Sequence, residues 1–176
     1  MLTNFAIDYK KGRRAEELVL DVFSSLSLDY DFEDVSAFRE LYYCGDIKAV
    51  NRTTGKEVFI EVKNDGRIAD TGNVLCETGV YFKKYGYYGR GNMSSNCDIL
   101  VVVSEQASRI YVMDFKVVKE IYRKFGLYKE IEHKEQITEC YLLELGRIKQ
   151  FKGLIATIDY KDGLAPVLFS YALEEV

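Results

Sequence analysis

Two carboxylates and one amine lie within a short stretch of this sequence, at a spacing that a β-hairpin would bring together. Asp46 stands before one apolar-alternating run, and Glu61 and Lys63 stand in the next, after a turn at Thr53-Thr54-Gly55. A reversal centred on that turn places Asp46 directly opposite Glu61. Opposed carboxylates repel each other unless a cation compensates them, and hard oxygen ligands suit Mg²⁺ or Mn²⁺. The spacing therefore predicts a divalent-metal site.

The hairpin itself is predicted from an alternation with a period of two residues. Ile47 and Ala49 on one strand, and Val58, Ile60 and Val62 on the other, form an apolar face. The opposite face carries the charges. Alternatively, that face is an ordinary solvated surface. Its four charged residues then only form cross-strand ion pairs, and they are Asp46, Lys48, Glu61 and Lys63.

The order of these residues resembles the metal-dependent PD-(D/E)XK nuclease superfamily. Asp46, a strand-turn-strand interval and Glu61-Val62-Lys63 match its motif, with Gly45 where the motif name has proline. The resemblance implies an α/β fold with a restriction-endonuclease-like core, a central mixed β-sheet flanked by helices. It also implies that Asp46, Glu61 and the Val62 carbonyl bind Mg²⁺ or Mn²⁺, and that Lys63 holds or polarises the attacking water.

A helix that carries a further acid is predicted from Gly12 to Leu26, because apolar residues recur there every three or four positions. Glu16 lies at the edge of the apolar stripe, about 60° from Val19 on the helical wheel. Gly12 and Glu16 resemble the Gly-x-x-x-Glu opening of archaeal Holliday junction resolvases, which implies that Glu16 joins the metal site as a catalytic residue. The alternative is a first-turn acid favoured by the helix dipole.

Aromatic and basic residues alternate irregularly between Tyr81 and Asn96, which indicates a contact loop. The residues predicted to bind nucleic acid there, by phosphate contact or by stacking, are Lys83, Lys84, Tyr87, Tyr88 and Arg90. A tyrosine-rich packing loop is the alternative. Arg13 is predicted to bind nucleic acid as well, within a basic cluster of Lys10, Lys11, Arg13 and Arg14 beside Glu16, whose alternative is a solvated helix start.

The remaining pattern predicts the rest of the core. Residues 28–38 look acidic and irregular, Cys97–Val103 and Arg109–Phe115 read as buried strands, and Lys116–Phe125 reads as a helix ended by Gly126. From Glu139 onward short strands or an extra helix are expected. Between Lys63 and Glu77 a polar turn is expected, followed by a short segment that is either helix or strand. The Thr71-Gly72-Asn73 segment and Glu77 resemble those of phage-borne members of the nuclease superfamily. Glu77 either assists the site or stabilises its own segment.

Composition limits the class of protein. With 176 residues, 48% of them apolar, and one proline, the chain is expected to form one nuclease-like domain over residues 1–176, with its core at about 10–125 and a peripheral extension at 126–176. No signal or membrane-spanning segment is visible, so a soluble, cytoplasmic protein is expected, with phage or mobile-element origin suggested by the resemblance. Four dispersed cysteines and the single residue His133, predicted to lie at the surface, disfavour a zinc site.

These observations predict a Mg²⁺- or Mn²⁺-dependent phosphodiesterase that acts endonucleolytically on DNA, including structured or branched DNA. Two alternatives stay open, a non-cleaving nucleic-acid-binding or assembly module on the same scaffold and an RNA-directed nuclease. The net charge of −4 confines any contact with nucleic acid to local basic patches. A homodimer is expected from the resemblance alone, because enzymes that cut two strands often work in pairs.

Overall fold

Helices and strands alternate throughout residues 4–38 and 44–161, the part of the chain that this computed structural model describes. In chain order the elements are α1 (Asn4–Leu26), β1 (Tyr30–Asp34), β2 (Ile47–Asn51), β3 (Glu57–Asn64), α2 (Ile68–Thr71), β4 (Asn73–Phe82), β5 (Tyr87–Arg90), β6 (Ile99–Ser104), β7 (Arg109–Asp114), α3 (Phe115–Phe125), β8 (Leu127–Glu132), β9 (Gln136–Glu144), α4 (Leu145–Gln150) and β10 (Leu154–Asp159). No helix within the described ranges has the length and apolar character to cross a membrane.

A six-stranded mixed sheet forms the centre of the molecule, in the order β1-β2-β3-β6-β7-β10. Only β3 and β6 run parallel, while the other neighbours are antiparallel. Every residue of β6 is buried, because apolar side chains cover the sheet on both faces. The two predicted core strands are thereby confirmed, as is the α/β fold with a central mixed sheet flanked by helices.

The two faces of this sheet carry separate apolar cores. On one face Ala15, Val19 and Phe23 of α1 pack against the hairpin and the odd-numbered residues of β6. On the other face Phe115, Val118 and Ile121 of α3 pack against the even-numbered residues of β6 and the odd-numbered residues of β7. The predicted helix that ends at Gly126 is confirmed, since α3 covers Phe115–Phe125.

Helix α1 begins at Asn4, eight residues before the predicted start at Gly12. A glycine inside a helix costs only about 1 kcal/mol relative to alanine, so Gly12 does not end the helix. Glu16 therefore lies in the helix interior, and the interpretation of Glu16 as a first-turn acid is wrong. Its placement depends on the packing of α1 against the sheet.

The acidic segment predicted to be irregular contains the edge strand β1, paired antiparallel with β2. Tyr30 is buried and Phe32 is partly buried, whereas Asp31 and Glu33, the residues that follow them, are exposed, which is the alternation of a one-sided strand. The strand was not predicted because acidic residues outnumber apolar ones within Tyr30–Asp34. Acids at the outer edge also keep the strand soluble and discourage pairing with another chain.

A second, four-stranded antiparallel sheet has the order β5-β4-β9-β8. Residues 81–96, predicted as an irregular loop, instead form the end of β4, a tight turn, β5 and a 3₁₀ turn at Asn92–Ser94. The segment around Glu77, for which helix and strand were both open, is the strand β4. After Glu139 the chain completes β9 and forms α4 and β10, and residues 162–176 lie outside the described part. His133 is exposed, as predicted.

Candidate active site

The β2–β3 hairpin has the register that the sequence predicts. Ile47 pairs with Ile60, so Asp46, immediately before β2, faces Glu61. The Asp46 N–H donates to the Ile60 carbonyl at 2.8 Å, and the Asp46 carboxylate accepts from the Val62 N–H, also at 2.8 Å. Two backbone-linked hydrogen bonds thus hold Asp46 against β3 and fix the position of its carboxylate.

Gly45 stands where the motif name has proline, and the backbone explains why. Its φ of +126° lies in the region that favours glycine and excludes proline, whose ring holds φ near −65°. A Cβ at Gly45 would lie 2.6 Å from the Ile60 carbonyl oxygen. Glycine is therefore required for the chain to approach β3 just before Asp46.

Glu61 and Lys63, two residues apart on β3, form an ion pair. Lys63 Nζ donates to Glu61 Oε1 at 2.6 Å, with the Glu61 side chain 12% exposed and the Lys63 side chain 38% exposed. The Cys97 Sγ lies 3.6 Å from Glu61 Oε2. Burial by itself lowers the pKa of Lys63, but the neighbouring carboxylates, Glu61 first, raise it above its ordinary value. Lys63 is therefore a permanent cation at neutral pH.

The pKa of Asp46 is shifted by its burial and by the acid opposite it. Burial first, and then the charge of Glu61, raise its pKa to about 6, although Lys63 and the Val62 N–H both favour the ionised form. The pKa of Glu16 is also raised, mainly by burial. This excess of negative charge favours the binding of a cation.

Asp46, Lys63 and Glu16 lie along an open cleft with a volume of about 1010 Å³, and Glu61 lies beneath it, paired with Lys63. Four acids line it, and they are Glu16 on α1, Asp46 before β2, Glu77 on β4 and Glu105 just after β6. Val62 and Lys63 line the floor. Lys10, Lys11 and Arg14 of α1 line it too, and all three are exposed. The cleft therefore combines an acidic, partly buried floor with a basic rim.

The donor set fits a hard divalent ion that needs few protein ligands. Within residues 4–38 and 44–161, no three side chains among the histidines, cysteines and acids converge closely enough to hold an ion by themselves. Mg²⁺ commonly takes only one or two protein carboxylates and fills the remaining positions with water and substrate phosphate. Asp46 and Glu61 are two carboxylates of that kind, and their binding of a metal stays a prediction, as do the parts of Glu16 and the Val62 carbonyl.

Arg13, predicted to bind nucleic acid, joins α1 to β1 in this structure. Its guanidinium contacts Glu16 and Ser36 and donates to Asp34 Oδ2 at 2.6 Å. The Arg13 hydrogen bond lowers the pKa of Asp34 to about 2. Arg13 thus holds Glu16 at the cleft, which is a role that sequence spacing did not indicate.

The other five residues predicted to bind nucleic acid lie on the β4–β5 hairpin, away from the residues that line the cleft. Tyr87 and Tyr88 are 62% and 50% exposed, and Lys84 lies 5.1 Å from the centre of the Tyr85 ring. Lys83 pairs with Glu132 of β8. Arg90 pairs with Gly79 in the β4–β5 ladder and is exposed. Their contact with nucleic acid stays a prediction.

The basic rim was underestimated because α1 was predicted too short. Lys10, Lys11 and Arg14 stand three and four residues apart, which places them on one face of a helix that already exists at residue 10. Arg14 also lies 3.7 Å from Glu105, across the cleft. The sequence already indicates a basic cluster beside Glu16, and the longer helix adds that Lys10, Lys11 and Arg14 share one of its faces.

Comparisons with known proteins give only distant similarities. No family model and no curated protein matches this chain. Among solved structures, a bacterial homing endonuclease is similar over 74% of this chain and 76% of its own, with 14% identity and a TM-score of 0.45. A nuclease from a fusselovirus is similar over 86% of this chain and 93% of its own, with 9% identity and a TM-score of 0.36. Because both TM-scores are below 0.5, we base the proposed function on the cleft itself.

Proposed function

We propose that this protein is a Mg²⁺- or Mn²⁺-dependent phosphodiesterase of the PD-(D/E)XK type that cuts DNA endonucleolytically, including structured or branched DNA. The observation that carries this proposal is the opposition of Asp46 and Glu61 on neighbouring strands, with Lys63 beside them at the floor of an open cleft. Two opposed acids that share a single cation are a costly arrangement that a purely structural hairpin does not need.

Each side chain has a distinct task in this proposal. Asp46 and Glu61 would hold the metal ion, which when bound lowers the pKa of water and draws charge from the phosphoryl oxygens. Lys63, a permanent cation, orients the attacking water and stabilises the negative charge that grows on the phosphoryl group. Glu16, fixed by Arg13, supports the negative floor. Lys10, Lys11 and Arg14 bind flanking phosphates and set the position of the strand.

One observation favours the alternative, a module that binds nucleic acid without cutting it. Glu61 already has a partner in Lys63, at 2.6 Å, as an ordinary charged hairpin face would show. In that case the acids would be paired structurally and the basic rim alone would engage phosphate. Binding would then depend on salt and be indifferent to Mg²⁺.

A substrate panel tests the proposal. Linear, nicked, flapped and four-way DNA, with RNA of matched sequence, should be incubated with the protein in Mg²⁺, Mn²⁺ or EDTA. We expect cleavage of at least one DNA substrate that depends on the divalent ion, with RNA as the control for an RNA-directed nuclease. Metal-insensitive binding with no scission on any substrate would instead establish the non-cleaving module.

From the position of the basic rim we also predict which lysines contribute to DNA binding. In EDTA, the double variant Lys10→Gln/Lys11→Gln should bind DNA roughly tenfold more weakly at about 0.1 M salt, and its salt slope should fall by about 2, because two phosphate contacts are lost. Fluorescence anisotropy at several salt concentrations measures both. The matched variant Lys83→Gln/Lys84→Gln removes the same charge from the β4–β5 hairpin. A larger loss in the hairpin variant would place the strand on the hairpin instead.

A further inference from the structure

Glu77 enters the cleft from the second sheet, and the chemistry above does not use it. Its side chain lines the same cleft as Asp46 and Lys63. Its pKa is raised, mainly by burial, while the charge of Lys63 opposes that rise. Among the described residues, its carboxylate has no ion pair and accepts no hydrogen bond. Glu16, the comparable acid on α1, already binds Arg13.

The backbone around Glu77 is built to place this side chain. The pairing of β4 with β9 shifts register between Glu77 and Gly79, which marks a β-bulge, a feature that re-aims a side chain next to many active sites. The buried Asn92 side chain accepts from the Glu77 N–H at 2.8 Å and donates to the Leu75 carbonyl at 3.4 Å. It thereby replaces the missing strand partner at this edge of β4.

Gly91 completes this placement. A Cβ at Gly91 would lie 2.2 Å from the Glu77 carbonyl oxygen, so only glycine allows the chain after β5 to pass so close to β4. The bulge, Asn92 and Gly91 all act on the main chain of one residue. An acid whose only task was to stabilise its own strand would not need them.

Lys63 is the side chain in the cleft that would need a second acidic partner. In this structure its ammonium donates to Glu61. Once Glu61 turns its oxygens to a cation, as the proposed function requires, Lys63 loses that acceptor. We propose that Glu77 is a positioning residue that holds the Lys63 ammonium in the cleft when Glu61 is engaged elsewhere. The catalytic meaning of this contact rests on the proposed function, but the contact itself can be tested without it, by removing the charge of Glu61.

A double-mutant cycle in the metal-free protein tests the contact without any cleavage assay. The cycle is built on Glu61→Gln, which removes the acid that Lys63 pairs with in this structure. In that background, urea unfolding of the parent, Lys63→Gln, Glu77→Gln and the combined variant should show a favourable coupling of at least fivefold in the unfolding equilibrium constant. The control cycle combines Lys63→Gln with Glu135→Gln, an exposed acid in the β8–β9 turn, and should be additive within twofold. An additive Lys63–Glu77 cycle would overturn the proposal.

Kinetics and calorimetry then separate positioning from metal binding. In a wild type that cleaves DNA, Glu77→Gln should lower kcat at least tenfold while KM and the Mg²⁺ half-saturation stay within twofold. A more than tenfold rise in the Mg²⁺ half-saturation, or an unchanged kcat, overturns the positioning role. If the wild type cuts no substrate in the panel, the proposed function fails, and the coupling cycle alone decides whether Glu77 holds Lys63.

Discussion

The variant Asp46→Asn is expected to lose cleavage by roughly 10³-fold or more and to become more stable than the wild type at the same time. The loss of activity follows from the removal of one of the two carboxylates that would hold the metal. The gain in stability follows from the removal of a charge that lies opposite Glu61 in a partly buried position. Asparagine still offers an oxygen to the Val62 N–H, so the hairpin keeps its hydrogen bond.

The sign of the pH dependence follows from the raised pKa of Asp46. The folded state holds its proton up to about pH 6, whereas an unfolded aspartate releases it near pH 3.8. Between these values the folded state binds more protons, so ionisation lowers the stability of the wild type as pH rises. The advantage of Asp46→Asn should therefore be small at pH 4 and reach about 1–3 kcal/mol above pH 7 without metal.

Asp34 provides the matched control, because its pKa is shifted in the opposite direction. Arg13 lowers it to about 2, so ionised Asp34 stabilises the folded state above about pH 4 and loses that effect under acid. Asp34→Asn should cost about 1 kcal/mol at pH 7, a figure reduced for the solvent screening of a partly exposed pair. Urea unfolding from pH 2 to 8 measures both variants and covers the range in which each carboxylate changes its charge. A wild type as stable as Asp46→Asn at pH 8 would contradict the repulsion between Asp46 and Glu61.

The parts of the site that the sequence predicts are those set by local pattern. The opposition of Asp46 and Glu61 depends on one short turn and on an alternation with a period of two residues, and both are visible in the printed sequence. The buried strand β6 is likewise a continuous apolar run. In each case a few consecutive residues determine the structure, so no distant partner has to be known.

The parts that escaped prediction depend on distant partners. Arg13 binds Asp34, 21 residues away, and contacts Glu16 as well, so it supports that acid at the cleft. Asn92 holds Glu77 from 15 residues away, and only at a bulge that β9 helps to form. Neither contact has a period or a motif. The first turns of α1 were also missed, because the predicted helix began at Gly12 although a glycine does not end a helix.

Gly45→Ala is expected to destabilise the protein by about 2–4 kcal/mol, because the new Cβ meets main-chain atoms that cannot move aside. The methyl group would lie 2.6 Å from the Ile60 carbonyl oxygen, which accepts the Asp46 N–H, and the φ of +126° adds strain for any L side chain. Relief of that clash moves Asp46 away from Glu61. A displacement of about 1 Å at a catalytic group costs roughly 10²-fold, so cleavage should fall by at least that factor.

Gly55→Ala in the turn of the same hairpin separates these two causes. Gly55 also has a positive φ, +71°, but a Cβ there would meet no atom within 4 Å. Its variant should therefore lose only about 1 kcal/mol, for backbone strain, and keep its cleavage activity. Thermal unfolding and a cleavage assay on both variants measure the difference. Equal losses would show that strain alone, and not the close approach of Gly45 to β3, governs this position. A larger loss at Gly45 would show that the glycine is needed because the main chain must pass close to Ile60 to set Asp46 against Glu61.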